Sequence, residues 1–462
     1  MKILACTVLL IFSLPRAEVK EIKKNIPLHN VRTIEVMGFN GASLDIKSWE
    51  KNEISVNIRV DFSQSDKEKE KENFRNIDVI QEQVGNSIIL HFREPSFKNE
   101  GFSFKNFLTS LFAPTVSNLT VNGEIYLPST VHLSSDMRYG EYAIDGIRGN
   151  LALSGVANTL TVRNCSSLQK IENNYGKTNI EHSGGTLLLT GESSQILVTD
   201  FNGSMNANAS YATMKLIAIT NNLTGVCTSG NVTIDGVGGN ISFNASYATF
   251  EANNIKGTVA LESQSGTLRV KNTGGVTITA PYSNVTIEAV NGPGIPVQVH
   301  NTSGRVDISD VTRDVTIDDS YSQLKLINIR GNVSVNSSGA TFTGKKITGN
   351  FSMKNEYGDI RVDDLSSSTV EIVNKNNTVE IALSTKPAKI NITNEYGPVV
   401  VSFPEFAGDV RLKASYGTIK TNLPIEVEEI ESSSFAIGQI GNRNGSINIK
   451  TVSGNIEVQQ RK

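Results

Sequence analysis

The six residues Asn208-Ala-Ser-Tyr-Ala-Thr213 recur unchanged as Asn244-Ala-Ser-Tyr-Ala-Thr249, 36 residues later. Repetition at a fixed period leaves a chain few options. It folds as an array of similar units, each burying its apolar face against the next. A tyrosine holds the same phase at Tyr139, Tyr175, Tyr211, Tyr247, Tyr282, Tyr321, Tyr357, Tyr396 and Tyr416, most gaps being 35 to 39 residues.

The period divides into halves of about 18 residues. One half opens Tyr-Gly or Tyr-Ala, as in Tyr357-Gly-Asp-Ile-Arg-Val362; the other opens Ser-Gly, as in Ser265-Gly-Thr-Leu-Arg-Val270 and Ser303-Gly-Arg-Val-Asp-Ile308. Both continue in strict apolar–polar alternation, the mark of a half-buried strand. A second short strand follows a Gly or Asn near the middle, as in Gly239-Asn-Ile-Ser-Phe243 and Gly331-Asn-Val-Ser-Val335. Two short strands and two turns describe one coil of a parallel β-helix. The chain is therefore expected to be all-β, with about eighteen successive coils, the last two starting near residues 435 and 453. Val232 and Ile234, Leu324 and Leu326, Ile360 and Val362 should point inward. The Gly that follows Tyr or Ser suits a corner with positive φ. The tyrosines, one every second coil, should form a row about 10 Å apart along one edge; structural corner residues are the plainer role for them, and a sugar-stacking face the alternative.

Residues 18–135 lack the repeat and are expected to form an N-terminal β-rich cap with a short helical insertion, leaving 136–462 as the β-helix domain. Asp66-Lys-Glu-Lys-Glu-Lys-Glu72 reads as a solvated helical face or loop. In the segment Phe97–Phe112, Phe104, Phe107, Leu108, Leu111 and Phe112 fall on one stripe of a short helix, suited to covering the open end of a solenoid or to meeting a membrane or partner. Residues 1–17, with Lys2 followed by an apolar run from Ile3 to Leu14, read as a secretory signal peptide. No later stretch reaches the ~20 apolar residues of a membrane helix, so no transmembrane span is expected in the mature chain. Beyond the signal, only Cys165 and Cys227 remain. They lie three coils apart in the repeat, about 14 Å at the ~4.8 Å strand spacing, beyond the ~7 Å reach of a disulfide. Two free, buried thiols are expected.

A net charge of −3 gives no basis for nucleic-acid binding. β-Helices can carry polysaccharide-cleaving sites, and the acidic candidates here are Asp307, Asp310 and Asp314 with Arg305 and Arg313, the pair Asp318-Asp319, and the pair Asp363-Asp364. Glycoside hydrolysis needs two carboxylates at a fixed separation across one site, and these spacings select no such pair. His29, His91, His132, His182 and His300 are scattered and match no metal-ligand pattern. No catalytic, cofactor-binding or metal-binding residue is therefore assigned, and no cofactor is expected.

The alternation of Tyr-Gly and Ser-Gly corners with short strands, preceded by Val121-Asn-Gly-Glu-Ile-Tyr-Leu-Pro128, resembles the bacterial putative-adhesin family of β-strand-repeat envelope proteins, over roughly residues 30 to 462. The resemblance implies an exported, non-enzymatic solenoid acting as an adhesin or cell-envelope scaffold in the periplasm, on the outer surface or in the medium. Its partner would be a glycan or an envelope or host-surface component. The alternative is a β-helix that binds or cleaves polysaccharide.

Overall fold

The computed structural model describes residues 18–63, 67–94, 118–292, 294–442 and 444–461. Residues 1–17, read above as a signal peptide, and the Phe97–Phe112 stripe lie outside them. The chain is a parallel β-solenoid of about 15 turns, somewhat fewer than the eighteen coils expected. It divides into two compact units, one ending at Gly184 and one starting at Gly185.

In the first unit, the chain-order first coil is enclosed by strands that come later. Thr33–Met37 lies in parallel between Ser87–Arg93 and His132–Arg138. Ser43–Trp49 lies likewise between Asn118–Pro128 and Glu141–Asp145. Within 18–135, Thr33–Met37 and Ser43–Trp49 thus join the parallel stack, and their Ile34, Val36, Leu44 and Ile46 carry the same inward alternation as the coils and are buried. Its outer strands are antiparallel: Glu53–Ser63 pairs with both Glu18–Pro27 and Asn118–Pro128, and Asp78–Val84 pairs with Ser87–Arg93. Glu18–Pro27 carries Lys20, Lys23 and Lys24 and ends in proline, features that discourage further strand addition. The acidic-basic run forms the helix Lys67–Asn76.

In the second unit each coil runs across two faces, here called sheet I and sheet II, with separate strands in most coils and one continuous strand in others, such as Thr249–Glu262 and Ser265–Thr279. Tyr321–Ile329 in sheet I is flanked in parallel by Ser303–Val311 and Thr341–Ile347. Val333–Asn336 in sheet II is flanked by Val315–Asp318 and Phe351–Lys354. The register stacks like on like: Val306, Leu324 and Phe342 align, as do Ile308 and Leu326. These inward side chains are essentially fully buried, each worth about 1.5–3 kcal/mol relative to exposure.

Two kinds of corner join the sheets. The corner after sheet I holds a residue in the left-handed region in coil after coil: Asn254, Asn272, Ala289, Asp310, Asn328, Lys346 and Asp364, with φ between 53° and 59°. Asn and Asp tolerate this conformation best among non-glycine residues. They also bond along the stack: the Asn272 Nδ2 donates to Asn254 Oδ1 (3.0 Å) and the Asn328 Nδ2 to Asp310 Oδ1 (2.6 Å). The corner leading back to sheet I is the one marked by Tyr and Ser. There the positive-φ residue varies. It is the glycine in Gly358 (φ 133°) and Gly397 (φ 141°), as the sequence suggested, but it is the tyrosine itself at Tyr211 and Tyr247. A Cβ on Gly358 would stand 2.1 Å from the Ala340 carbonyl oxygen. Gly358→Ala is therefore expected to cost about 2 kcal/mol or more in denaturant unfolding; an unchanged midpoint would contradict the corner geometry.

The residue two places before this second corner is buried and small or polar. Asn355, Asn374 and Asn394 are at most 2% exposed and form an internal ladder. The Asn355 Nδ2 donates to the Ala340 carbonyl (3.1 Å), and the Asn374 Nδ2 donates to Asn394 Oδ1 (3.1 Å).

The coil order changes near the C-terminus. Ser446–Ser453 lies in parallel between Lys389–Tyr396 and Gly408–Ala414. Ile456–Gln460 lies between Val399–Phe403 and Ile419–Thr421. The last coil in the chain is thus inserted beneath the one that precedes it. Residue 435, expected to open a coil, instead belongs to Ser433–Ile440, which runs antiparallel to Gly408–Ala414 and Glu428–Ile430.

Candidate functional site

The tyrosine row follows from the coil geometry. In the second unit Tyr211, Tyr247, Tyr282, Tyr321, Tyr357, Tyr396 and Tyr416 stand at the corner entering sheet I, between 50% and 67% exposed; Tyr139 and Tyr175 occupy the same kind of corner in the first unit and are equally open. The inserted coil preserves the alternation. Tyr396 aligns with Ser453, and the Tyr416 amide donates to the Val452 carbonyl (2.8 Å), so Tyr416 again stands two layers from Tyr396.

Tyr211 (φ 55°) and Tyr247 (φ 58°), the tyrosines of the repeated hexapeptide, are left-handed. A bulky residue there is strained by about 1–2 kcal/mol, and Gly or Asn would sit more easily.

Beside this stretch the outward column nearest the corner is uncharged. Thr213, Asn231, Thr249, Thr267 and Asn284 follow one another in register, and Arg305 comes next. A shallow hollow of about 530 Å³ opens between Tyr247 and this column, floored by Gly230 and Gly266. On sheet II a second trough, of about 520 Å³, is crossed by the small residues Asn206, Thr224, Ser242, Ala260 and Thr277 in register.

The acidic candidates do not converge. Asp307 pairs with the Arg305 guanidinium (2.7 Å) on sheet I, whereas Asp318 lies on sheet II near His300 (3.3 Å). Asp310 accepts from Asn328, and Asp314 accepts the Asn332 amide (2.7 Å). Asp319 is turned inward, accepting from the amide and hydroxyl of Ser322 (2.9 and 2.5 Å). Asp364 is a left-handed corner residue and Asp363 its neighbour in the strand Ile360–Leu365. Of these carboxylates, Asp310, Asp314 and Asp318 reach to a neighbouring coil, while Asp307 pairs within its own strand. Further along sheet I, Lys271–Glu288 (3.0 Å) and Arg361–Glu380 (2.5 Å) neutralise each other between layers, exposed pairs worth little to stability. Among the described residues, no three His, Cys, Asp or Glu side chains gather as a metal site, and no helix is long and apolar enough to cross a membrane.

Cys165 and Cys227 are free and buried, as expected. Burial pushes the Cys165 thiol up to about 11 and raises that of Cys227. Both should stay protonated and unreactive toward a disulfide reagent at pH 8 in the native chain and react once it is unfolded. Because the unfolded thiol titrates first, the stability tied to Cys165 is complete below pH ~9 and is lost as pH rises through about 11. Fast native labelling would contradict this packing.

Residues 274–459 match the family described as Toastrack DUF4097. The C-terminal shaft is a Toastrack match. It bears out the resemblance to a β-repeat family of unknown function drawn from the corners. The Toastrack stretch begins after the hexapeptide repeats and takes in the inserted coil. No match was found among curated proteins. The crystal structure of a putative cell adhesion protein from Clostridium sporogenes ATCC 15579 is similar over 96% of this chain and 100% of that one, at 11% identity and a TM-score of 0.16.

The sequence had placed the tyrosines on one edge but not the uncharged column or the strained backbone. The column was legible: Thr213, Asn231, Thr249 and Thr267 each fall two residues after the corner residue.

Proposed function

We propose that the chain is an exported, non-enzymatic β-solenoid that attaches a cell or envelope surface to its target through the tyrosine edge. The observation that carries this reading is the pair Tyr211 and Tyr247, held outward on a backbone that disfavours them. Acidic candidates that are spread over both sheets, with Asp310 and Asp314 bonded to the neighbouring coil, support a scaffold over a hydrolase. Binding of the purified chain, residues 18–462, to intact cells and envelope fractions should be saturable and should leave the surface polymers uncut. Release of sugar fragments would replace the scaffold reading with an enzymatic one. For export, fusing residues 1–17 to a reporter active only outside the cytoplasm should give activity; an inactive fusion would remove the export half of the proposal.

A further inference from the structure

The ligand class can be narrowed, on the footing of the attachment role just proposed. We infer that Tyr211, Tyr247 and Tyr282, with the column from Thr213 to Asn284, form a binding strip for an extended, uncharged β-1,4-linked polysaccharide.

The spacing is the first reason. Tyr211 and Tyr247 are two layers apart, as are Tyr247 and Tyr282, which at the strand spacing is about 10 Å. An extended β-1,4-linked chain repeats every two sugars over nearly the same distance and shows the same flat C–H face once per repeat. A chain laid along the edge would therefore present an equivalent face to each tyrosine. An α-1,4-linked chain curls and would lose register after the first contact.

The chemistry of the strip is the second. A pyranose offers an apolar face rimmed by hydroxyls; an exposed tyrosine supplies the matching aromatic surface. Asn231, Thr249 and Thr267 line the hollow beside Tyr247, within side-chain reach of that rim and able both to donate and to accept. No ionised side chain lines this hollow, so nothing there would offset the charge of a uronate polymer. Small-molecule sites are mostly enclosed, whereas this one is an open strip, the form suited to a long polymer that gathers many weak contacts.

The backbone is the third. The left-handed position is held by the small Ser229 at the intervening corner, and by Asn254, Asn272 and Asn328, alongside Ala289 and Lys346, at the other. Tyrosine at Tyr211 and Tyr247 costs stability that a ligand contact would explain.

The test uses the full mature chain in depletion assays with insoluble cellulose, chitin, starch and cross-linked polygalacturonate. Retention on cellulose or chitin, with little on starch or polygalacturonate, is the expected result. The triple variant Tyr211→Asn, Tyr247→Asn and Tyr282→Ala should bind at least tenfold more weakly while unfolding at the same or a higher temperature. Ser334→Ala with Ser352→Ala, exposed on sheet II away from the tyrosine edge, should bind within twofold of the parent. Equal retention on starch, preferential retention on polygalacturonate, or no effect of the triple variant would overturn the inference. If no polysaccharide is retained but attachment to cells persists and falls in the triple variant, the polymer class is wrong and the attachment role stands. If attachment is also absent, both fail.

Discussion

A chain ending at Ile440 should lose far more than its final coil. Residues 446–460 are an inner layer, with Ile447, Ile449, Ile456 and Val458 all at most 1% exposed, and their removal withdraws burial on the order of 10 kcal/mol at 1.5–3 kcal/mol each. It also strips Gly408–Ala414 and Ile419–Thr421 of their parallel partners and leaves Lys389–Tyr396 and Val399–Phe403 as bare edges. The expected result is local unfolding of residues 399–440, early proteolysis there, and aggregation through the exposed strands. Hydrogen exchange on the truncated chain reads this directly: amides of Gly408–Ala414 should lose protection while those near Tyr321 keep it. A truncated chain with residues 408–421 still protected would mean that the inserted layer is not needed to hold its neighbours.

The second large effect lies in the internal asparagine ladder. Asn394 is fully buried; its Nδ2 donates to the Asn377 and Gly397 carbonyls (2.8 and 3.0 Å), and its Oδ1 accepts from Asn374. Asn394→Ala would take the side-chain donor from both carbonyls and leave the Asn374 amide only its bond to the Asn376 carbonyl, in a space too confined for easy rehydration. Each orphaned buried group costs roughly 1–3 kcal/mol, so a loss of about 3 kcal/mol is expected in denaturant unfolding. Asn394→Asp keeps the acceptor but loses the donor and buries a charge, and should be at least as destabilising at neutral pH. If Asn394→Ala unfolds within 0.5 kcal/mol of the parent, a threshold of the size expected for surface changes, the ladder is not a stabilising element.

The repeat made most of the shaft legible. Alternation alone assigns Leu324 and Leu326 inward and Lys325 outward, because a strand has only two faces. The insertions at Thr33–Trp49 and Ser446–Gln460 were not legible in the same way. Every coil presents nearly the same inward pattern to the layers on either side, so pattern does not reveal which coil is the neighbour. One trace was present. Tyr396 and Tyr416 are 20 residues apart where the row otherwise needs about 36, so a missing layer had to come from elsewhere in the chain. The left-handed corners were also written in the sequence, as Asn or Asp at Asn254, Asn272, Asp310, Asn328 and Asp364. They were hidden because Asp310 and Asp364 read equally well as acidic candidates. The edge itself was recognised from the tyrosines, while its strain became visible only with backbone angles, since Tyr282 occupies the same corner without a positive φ.

The central claim is that the tyrosines of the repeated hexapeptide are kept for what they touch and not for the turn they make. The most direct measurement pairs the thermal midpoint of the double variant Tyr211→Asn, Tyr247→Asn with its binding to intact cells. Relief of left-handed strain at two corners, about 1 kcal/mol each before any lost ring contact, should hold or raise the midpoint while attachment falls. A lowered midpoint with attachment unchanged would make these tyrosines corner residues and contradict the account.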